Sequence, residues 1–188
     1  MGFPKKQGLY DPEFEKDSCG VGFVVHMKGV KSHKIVLQGL ELLNRLEHRG
    51  AVGSDPLTGD GAGILIQVPH DFFVKECKKL QIPLPDVGRY GAGLVFSRRD
   101  AHMEERYRIL EEVTQEEGLH FLGWRAVPVD NSAIGAGARK MEPEIRQGII
   151  GAPDGVKSGI EFERRLYVVR KLAANRVRER GWNEDNER

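Results

Sequence analysis

Asp17-Ser18-Cys19-Gly20-Val21-Gly22-Phe23-Val24-Val25-His26-Met27 carries the first apolar run of the sequence. From Gly20 to Met27 the run is continuous and rich in β-branched residues, the pattern of a strand buried on both faces, and Lys28-Gly29 ends it with a turn. A cysteine directly ahead of such a strand is well placed to present a reactive thiol if the segment before it is removed. That segment, Met1 to Ser18, holds Pro4, Gly8, Pro12 and several charges but neither a helical nor a strand period, and reads as an extended leader.

Beyond the run, Ser32 is positioned to cap a helix whose apolar residues Val36, Leu40, Leu43 and Leu46 recur at helical spacing, with Gly50 as a left-handed stop. His48 and Arg49 would then emerge at that helix's C-terminus. A glycine-rich loop leads to a second buried strand over 62–68 and a helix over 71–80 with Phe72, Phe73 and Cys77 toward the core. A strand over 91–97 follows, then a helix capped by Asp100 and stopped by Gly118, with Met103, Tyr107, Leu110 and Val113 on one face. Residues 119–129 read as another strand, 130–138 as a loop, and 144–150 as the weakest strand, since Pro143 bars helix entry. Ser158 and Glu161 have capping-box spacing ahead of a helix with Phe162, Leu166, Val169 and Ala173 along one stripe. Residues 181–188 form a polar tail.

A chain of 188 residues suits one domain with a sizeable core, and its 39% apolar and 30% charged content is that of an ordinary globular protein. The net charge of +1 gives no bulk attraction to nucleic acid or anionic membrane, which favours a small polar substrate. No apolar run approaches the roughly 18 residues of a membrane span, and the leader lacks a signal-peptide core, so a cytoplasmic location is expected. The two cysteines, Cys19 and Cys77, offer no disulfide framework or metal spacing, and Cys77 reads as core filler. Gly59-Asp60-Gly61-Ala62-Gly63 fails the dinucleotide fingerprint at Ile64, and no phosphate-binding lysine follows it.

Taken in order, Asp17 to Phe23, Leu46-Glu47-His48-Arg49-Gly50-Ala51, Gly53-Ser54-Asp55 and Thr58 to Ile64 resemble the amidotransferase domain at the N-terminus of the glutamate synthase large subunit, one of the class II, N-terminal-nucleophile glutamine amidotransferases. Glu142-Pro143-Glu144-Ile145-Arg146-Gln147 and Phe162-Glu163-Arg164-Arg165-Leu166-Tyr167 extend the resemblance over nearly the whole chain. Periodicity by itself supports a mixed α and β domain; the resemblance implies an α+β, four-layer αββα sandwich, incomplete in this fragment. It divides the chain into a leader or propeptide at 1–18, the N-terminal part of the amidotransferase domain at 19–180 and the tail at 181–188.

The resemblance makes Cys19 the first residue of the mature protein, so that one residue carries both thiol and base. An α-amine titrates at about 7.7 to 8.0, and its neutral fraction can take the thiol proton. Attack on the side-chain amide of L-glutamine would give a glutamyl thioester and ammonia, and water would release glutamate. Arg49 is implied beside the nucleophile; His48 has the weaker case. Ammonia would pass to 2-oxoglutarate in a downstream synthase domain or subunit that carries FMN and an iron–sulfur cluster, neither of which belongs to this segment. The class uses an Asn-Gly oxyanion hole, and no Asn here precedes Gly. The hole and the substrate-gripping residues are therefore expected beyond Arg188, and each missing donor costs roughly 3 to 4 kcal/mol of transition-state stabilisation. The alternatives are an amidotransferase that feeds another acceptor, as in amidophosphoribosyltransferase or an aminosugar synthase, and a truncated non-catalytic module.

Overall fold

The computed structural model describes residues 6–8, 20–46, 57, 61–156 and 159–182. They belong to two units, Met1–Gln67 with Ser132–Ala138, and Val68–Asn131 with Arg139–Arg188, each described by itself.

In the first unit, Ser32 caps α1 (His33–Arg45) as its side chain suggests, its Oγ accepting the Lys34 N–H at 3.1 Å. The helix closes earlier than expected. Leu46 takes the C-cap with a φ of −89°, outside the left-handed region, and its N–H reaches the carbonyls of Leu42 and Leu43. Gly50, the expected stop, lies outside the described residues.

The strands expected over 20–27 and 62–68 are corrected by the structure: neither run enters a ladder among the described residues. Val21 and Phe23 are 86% and 87% exposed, and Leu65 is fully exposed. Apolar, β-branched composition suits a strand, but an extended segment becomes one only when neighbouring backbone supplies partners for its N–H and C=O groups.

The second unit is built on a three-stranded antiparallel sheet of order β1-β3-β2, from β1 (Tyr90–Ser97), β2 (His120–Ala126) and β3 (Glu144–Gly151). The segment that reads as the weakest strand is therefore the central one. It pairs along its whole length with β1, from Tyr90 opposite Gly151 to Ser97 opposite Glu144, and with β2 across a register shift at Phe121/Gly123. Because successive residues point to opposite faces, Ile149 joins Phe73, Cys77 and Tyr90 beneath α2 (His70–Lys79), with Ala92 and Leu122 packed against them. Ile150 joins Ile109, Val113, Phe162 and Val169 beneath α3 (Met103–Glu116) and α5 (Ile160–Glu179). β2 stops at Ala126, short of the expected 129, and the short α4 (Ala136–Lys140) occupies the end of the expected loop.

Asp100 was expected to cap α3, but the cap position falls to His102; Asp100 Oδ1 accepts the His102 N–H at 2.9 Å and shapes the turn before the helix. Ser158 lies outside the described residues, and Gly159 occupies the N-cap of α5. Helices α2, α3 and α5 share one ending. After α3, Gly118 (φ 70°) sends its N–H to the Gln115 carbonyl, and Leu119 sends its own to Thr114. After α5, Gly181 (φ 72°) and Trp182 bond Arg178 and Val177 in the same manner. After α2, Gln81 and Ile82 bond Lys78 and Cys77. This is the Schellman pattern, and each time it delivers an apolar residue, Ile82, Leu119 or Trp182, into a core cluster. Gln81 does so with a φ of 57° and a Cβ that disfavours it. Gln81→Gly should therefore stabilise the protein by about 0.5 to 1 kcal/mol, the left-handed strain relieved exceeding the entropy added to the unfolded chain. Urea unfolding should show a raised midpoint with an unchanged slope.

Candidate active site

Cys19, His48 and Arg49 lie outside the described residues, as does most of the glycine-rich run between Glu47 and Asp60. What the structure describes is the chain on either side of them. Gly20 and Gly22 lie against the last turns of α1: a Cβ at Gly22 would stand 2.7 Å from Leu42 Cδ1, and one at Gly20 would stand 3.2 Å from Leu46 Cδ2. Glycine at these positions lets the segment after Cys19 approach the helix that leads to His48 and Arg49. The residue after the candidate nucleophile thus touches the residue that closes α1.

Cys77, the other thiol, is 1% exposed on α2, and burial pushes its pKa up, with the Arg125 charge acting in the other direction. A buried, protonated thiol is a core group rather than a nucleophile. Beside it, Tyr90 is also raised by burial, and its hydroxyl lies 3.1 Å from His70 Nδ1.

The motif Glu142 to Gln147 proves to be the start of the central strand and its approach. Glu142 Oε2 accepts from Asn131 Nδ2 at 2.9 Å, and Glu144 Oε2 meets Arg99 Nη1 at 3.0 Å. Arg146 pairs with Glu104 at 3.0 Å and lies over the Tyr107 ring, 4.2 Å from its centroid; the pairing holds the Glu104 carboxyl below the usual carboxylate range. Gln147 Oε1 accepts from Arg125 Nη1 at 3.3 Å. Arg125 also faces Glu76, whose carboxyl is lowered first by Lys79 and then by Arg125. These contacts tie the central strand and its approach to α3, to β2 and to the loops at Arg99 and Asn131, so the motif organises the sheet.

Two anchors carry no signal in the sequence. Arg89 donates to the carbonyls of Ala152, Pro153 and Val156, holding the turn between β3 and α5 against the start of β1. Arg106 grips Asp100 with two hydrogen bonds of 2.7 Å and also reaches Ser97 Oγ and the Trp182 carbonyl. Both act on backbone far away in sequence, which no local pattern encodes. Among the described residues, no group of three His, Cys, Asp or Glu side chains is placed to hold a metal ion, and no helix is long and apolar enough to cross a membrane.

The chain belongs to the class-II glutamine amidotransferases, whose family matches residues 19–187. It is 50% identical over 173 residues to the glutamate synthase (NADPH) large chain of Bacillus subtilis, covering 92% of this chain and 11% of that protein. Against the glutamate synthase (NADH) of Schizosaccharomyces pombe the identity is 42% over 185 residues, 95% of this chain and 9% of the relative. Against the ferredoxin-dependent glutamate synthase 2 of Synechocystis it is 37% over 166 residues, 88% and 11%. The chain spans about a tenth of the length of these relatives.

The Asp100–Arg106 pair has a testable pH dependence. Two hydrogen bonds from Arg106, aided by the His102 N–H, hold the Asp100 carboxyl below the usual range. The folded form therefore binds that proton less readily than the unfolded one. The stabilisation is complete above the unfolded value of about 3.9 and is lost as pH falls through the lower folded value. Asp100→Asn should cost about 1 kcal/mol at pH 7, the gain being limited by solvent at this partly exposed pair. The difference from the unaltered protein should shrink as unfolding is measured at successively lower pH from 5 toward 3.

Proposed function

We propose that the chain is the nucleophile-bearing part of the glutaminase domain of a glutamate synthase, with Cys19 the nucleophile and Arg49 beside it. The observation that carries the reading is the contact of Gly20 with Leu46, taken with a family match that begins at residue 19. Covalent geometry allows Cys19 only about 3.8 Å from Gly20, and Arg49 no more than roughly 11 Å from Leu46. Nucleophile and arginine are thereby tethered to one contact, although 29 residues lie between them.

In this reading residues 1–18 are removed as a leader, 19–180 are the N-terminal part of the amidotransferase domain and 181–188 form a polar tail. Removal of the leader frees the α-amine of Cys19, which takes the thiol proton. The thiolate attacks the amide carbon of L-glutamine, and the amine, now protonated, gives its proton to the departing ammonia. Water then cleaves the glutamyl thioester and restores the thiol. Arg49, a fixed cation, orients the loop around the thiolate. Ammonia goes on to 2-oxoglutarate in a synthase portion outside residues 19–187, and FMN and the iron–sulfur cluster belong to that portion.

The proposed fold is the four-layer αββα sandwich. A second sheet would need apolar surface to pack on, and Leu94 and Phe96 stand exposed at 51% and 62% on the face of β1 opposite α3 and α5, beyond the part of that face that α2 covers.

The test is N-terminal sequencing and mass mapping of the natively expressed protein after treatment with 6-diazo-5-oxo-L-norleucine, an electrophile shaped like glutamine. The mature chain should begin at Cys19 and carry the label there, with Cys77 unmodified. Cys19→Ala should remove both the label and glutamine hydrolysis, a loss of at least a thousandfold. A mature protein that still begins at Met1, with Cys19 unlabelled, sinks the reading.

A further inference from the structure

Residues 20–46 fold back on themselves. His26 closes a turn: its carbonyl accepts the Gly29 N–H at 2.8 Å, and its Nδ1 accepts the Lys28 and Val30 N–H groups at 3.3 and 3.4 Å. Ser32 then starts α1, which returns along the segment it has just left. Gly22 meets Leu42 and Gly20 meets Leu46, so the two stretches run antiparallel. Two residues of extended chain advance about 6.7 Å and four residues of helix about 6 Å, and the glycines thus keep pace with the leucines.

Leu42 makes the tighter of the two contacts. A Cβ at Gly22 would stand 2.7 and 2.8 Å from its methyl carbons and 3.2 Å from its Cγ, so the branched end of the leucine fills the place of that Cβ. Gly22 has no positive φ, and its backbone would accept alanine. What a methyl group there would disturb is Leu42.

We infer that Leu42 is a positioning residue for the nucleophile: seated in the space that Gly22 leaves, it fixes where the segment that begins at Cys19 lies along α1. This rests on the reading of Cys19 as the nucleophile. Cys19 is three residues from Gly22, within roughly 11 Å, so a shift of the segment at Gly22 is passed on to the thiol. Attack geometry tolerates little such movement, and a displacement of about 1 Å can cost about a hundredfold in rate. An added Cβ needs a comparable shift to move from 2.7 Å to an ordinary contact of 3.4–4 Å.

The test measures how fast 6-diazo-5-oxo-L-norleucine labels Cys19 in the natively expressed protein, counted per mature chain that takes the label. Gly22→Ala should lower the saturating rate about tenfold or more. Leu42→Ala, which adds no atom to the segment, should lower it about threefold or more. The double variant should label faster than Gly22→Ala alone, because the new methyl enters space the leucine has left. The analogue concentration for half-maximal rate should stay within about twofold throughout, since Leu42 acts on the segment that carries the thiol. An unchanged saturating rate in either single variant overturns the proposal, as does a double variant no faster than Gly22→Ala or a shift confined to the half-maximal concentration. Fewer labelled chains at an unchanged rate would make Leu42 a packing residue only, which also overturns it. Failure of the unaltered protein to label at Cys19 overturns the nucleophile reading itself, whereas labelling there with no change in the variants removes this inference alone.

Discussion

Ile149 and Ile150 are neighbours on the central strand, and the pleat sends them to opposite faces. One is fully buried under α2; the other packs under α3 and α5. Gly148 to Gly151 of β3 are buried on consecutive residues, and neither β1 nor β2 has two buried residues in succession. Both helical layers are therefore referred to the same two residues, and a register slip of one would exchange the cores they serve. The ladders to β1 and β2 fix that register from both sides.

Around this strand the polar groups work at the seams. Arg89 and Arg106 hold main-chain carbonyls at the two ends of α5, at its approach from β3 and at its exit through Trp182. A guanidinium can serve several such acceptors at once because its five donors lie in a plane and its charge persists at any ordinary pH. The carboxylates that meet arginines on α3, Glu104 and Glu116, are lowered by those arginines and lie at the surface, where they tune the helix's seating more than its existence.

The helices were legible because their causes are local. Ser32 before a spaced apolar series, Phe73 and Cys77 one turn apart, and Gly118 after Val113 each act within a few residues. The strands were legible only where pairing agreed with composition. Gly20 to Met27 and Ala62 to Val68 look more like strands than Glu144 to Gly151 does, yet only the last has partners among the described residues. Arg146 and Gln147 disguise it, since each finds a helix or strand partner that no window on the sequence contains. The order of the motifs nominates Cys19 and Arg49, which lie outside the described residues, without saying what holds them. The contact between Gly20 and Leu46 supplies a physical link that the spacing of the motifs does not.

The chain contains two tryptophans, and the fold gives them different surroundings. Trp124 donates its indole N–H to Glu111 at 2.6 Å and lies edge-on to Tyr107, with ring centroids 5.0 Å apart. Trp182 is stacked on His102 with ring centroids 4.4 Å apart, and the Arg180 guanidinium lies over its ring at 5.1 Å from the centroid. An excited indole responds to the dipoles and charges beside it, so the two emit from distinct environments. One indole reports optically on the seating of α3 over the sheet, and the other on the junction where the end of α5 meets the start of α3. Replacing either with phenylalanine would leave a single intrinsic fluorophore in a known place, and loss of cooperativity would appear as two emission curves that no longer coincide.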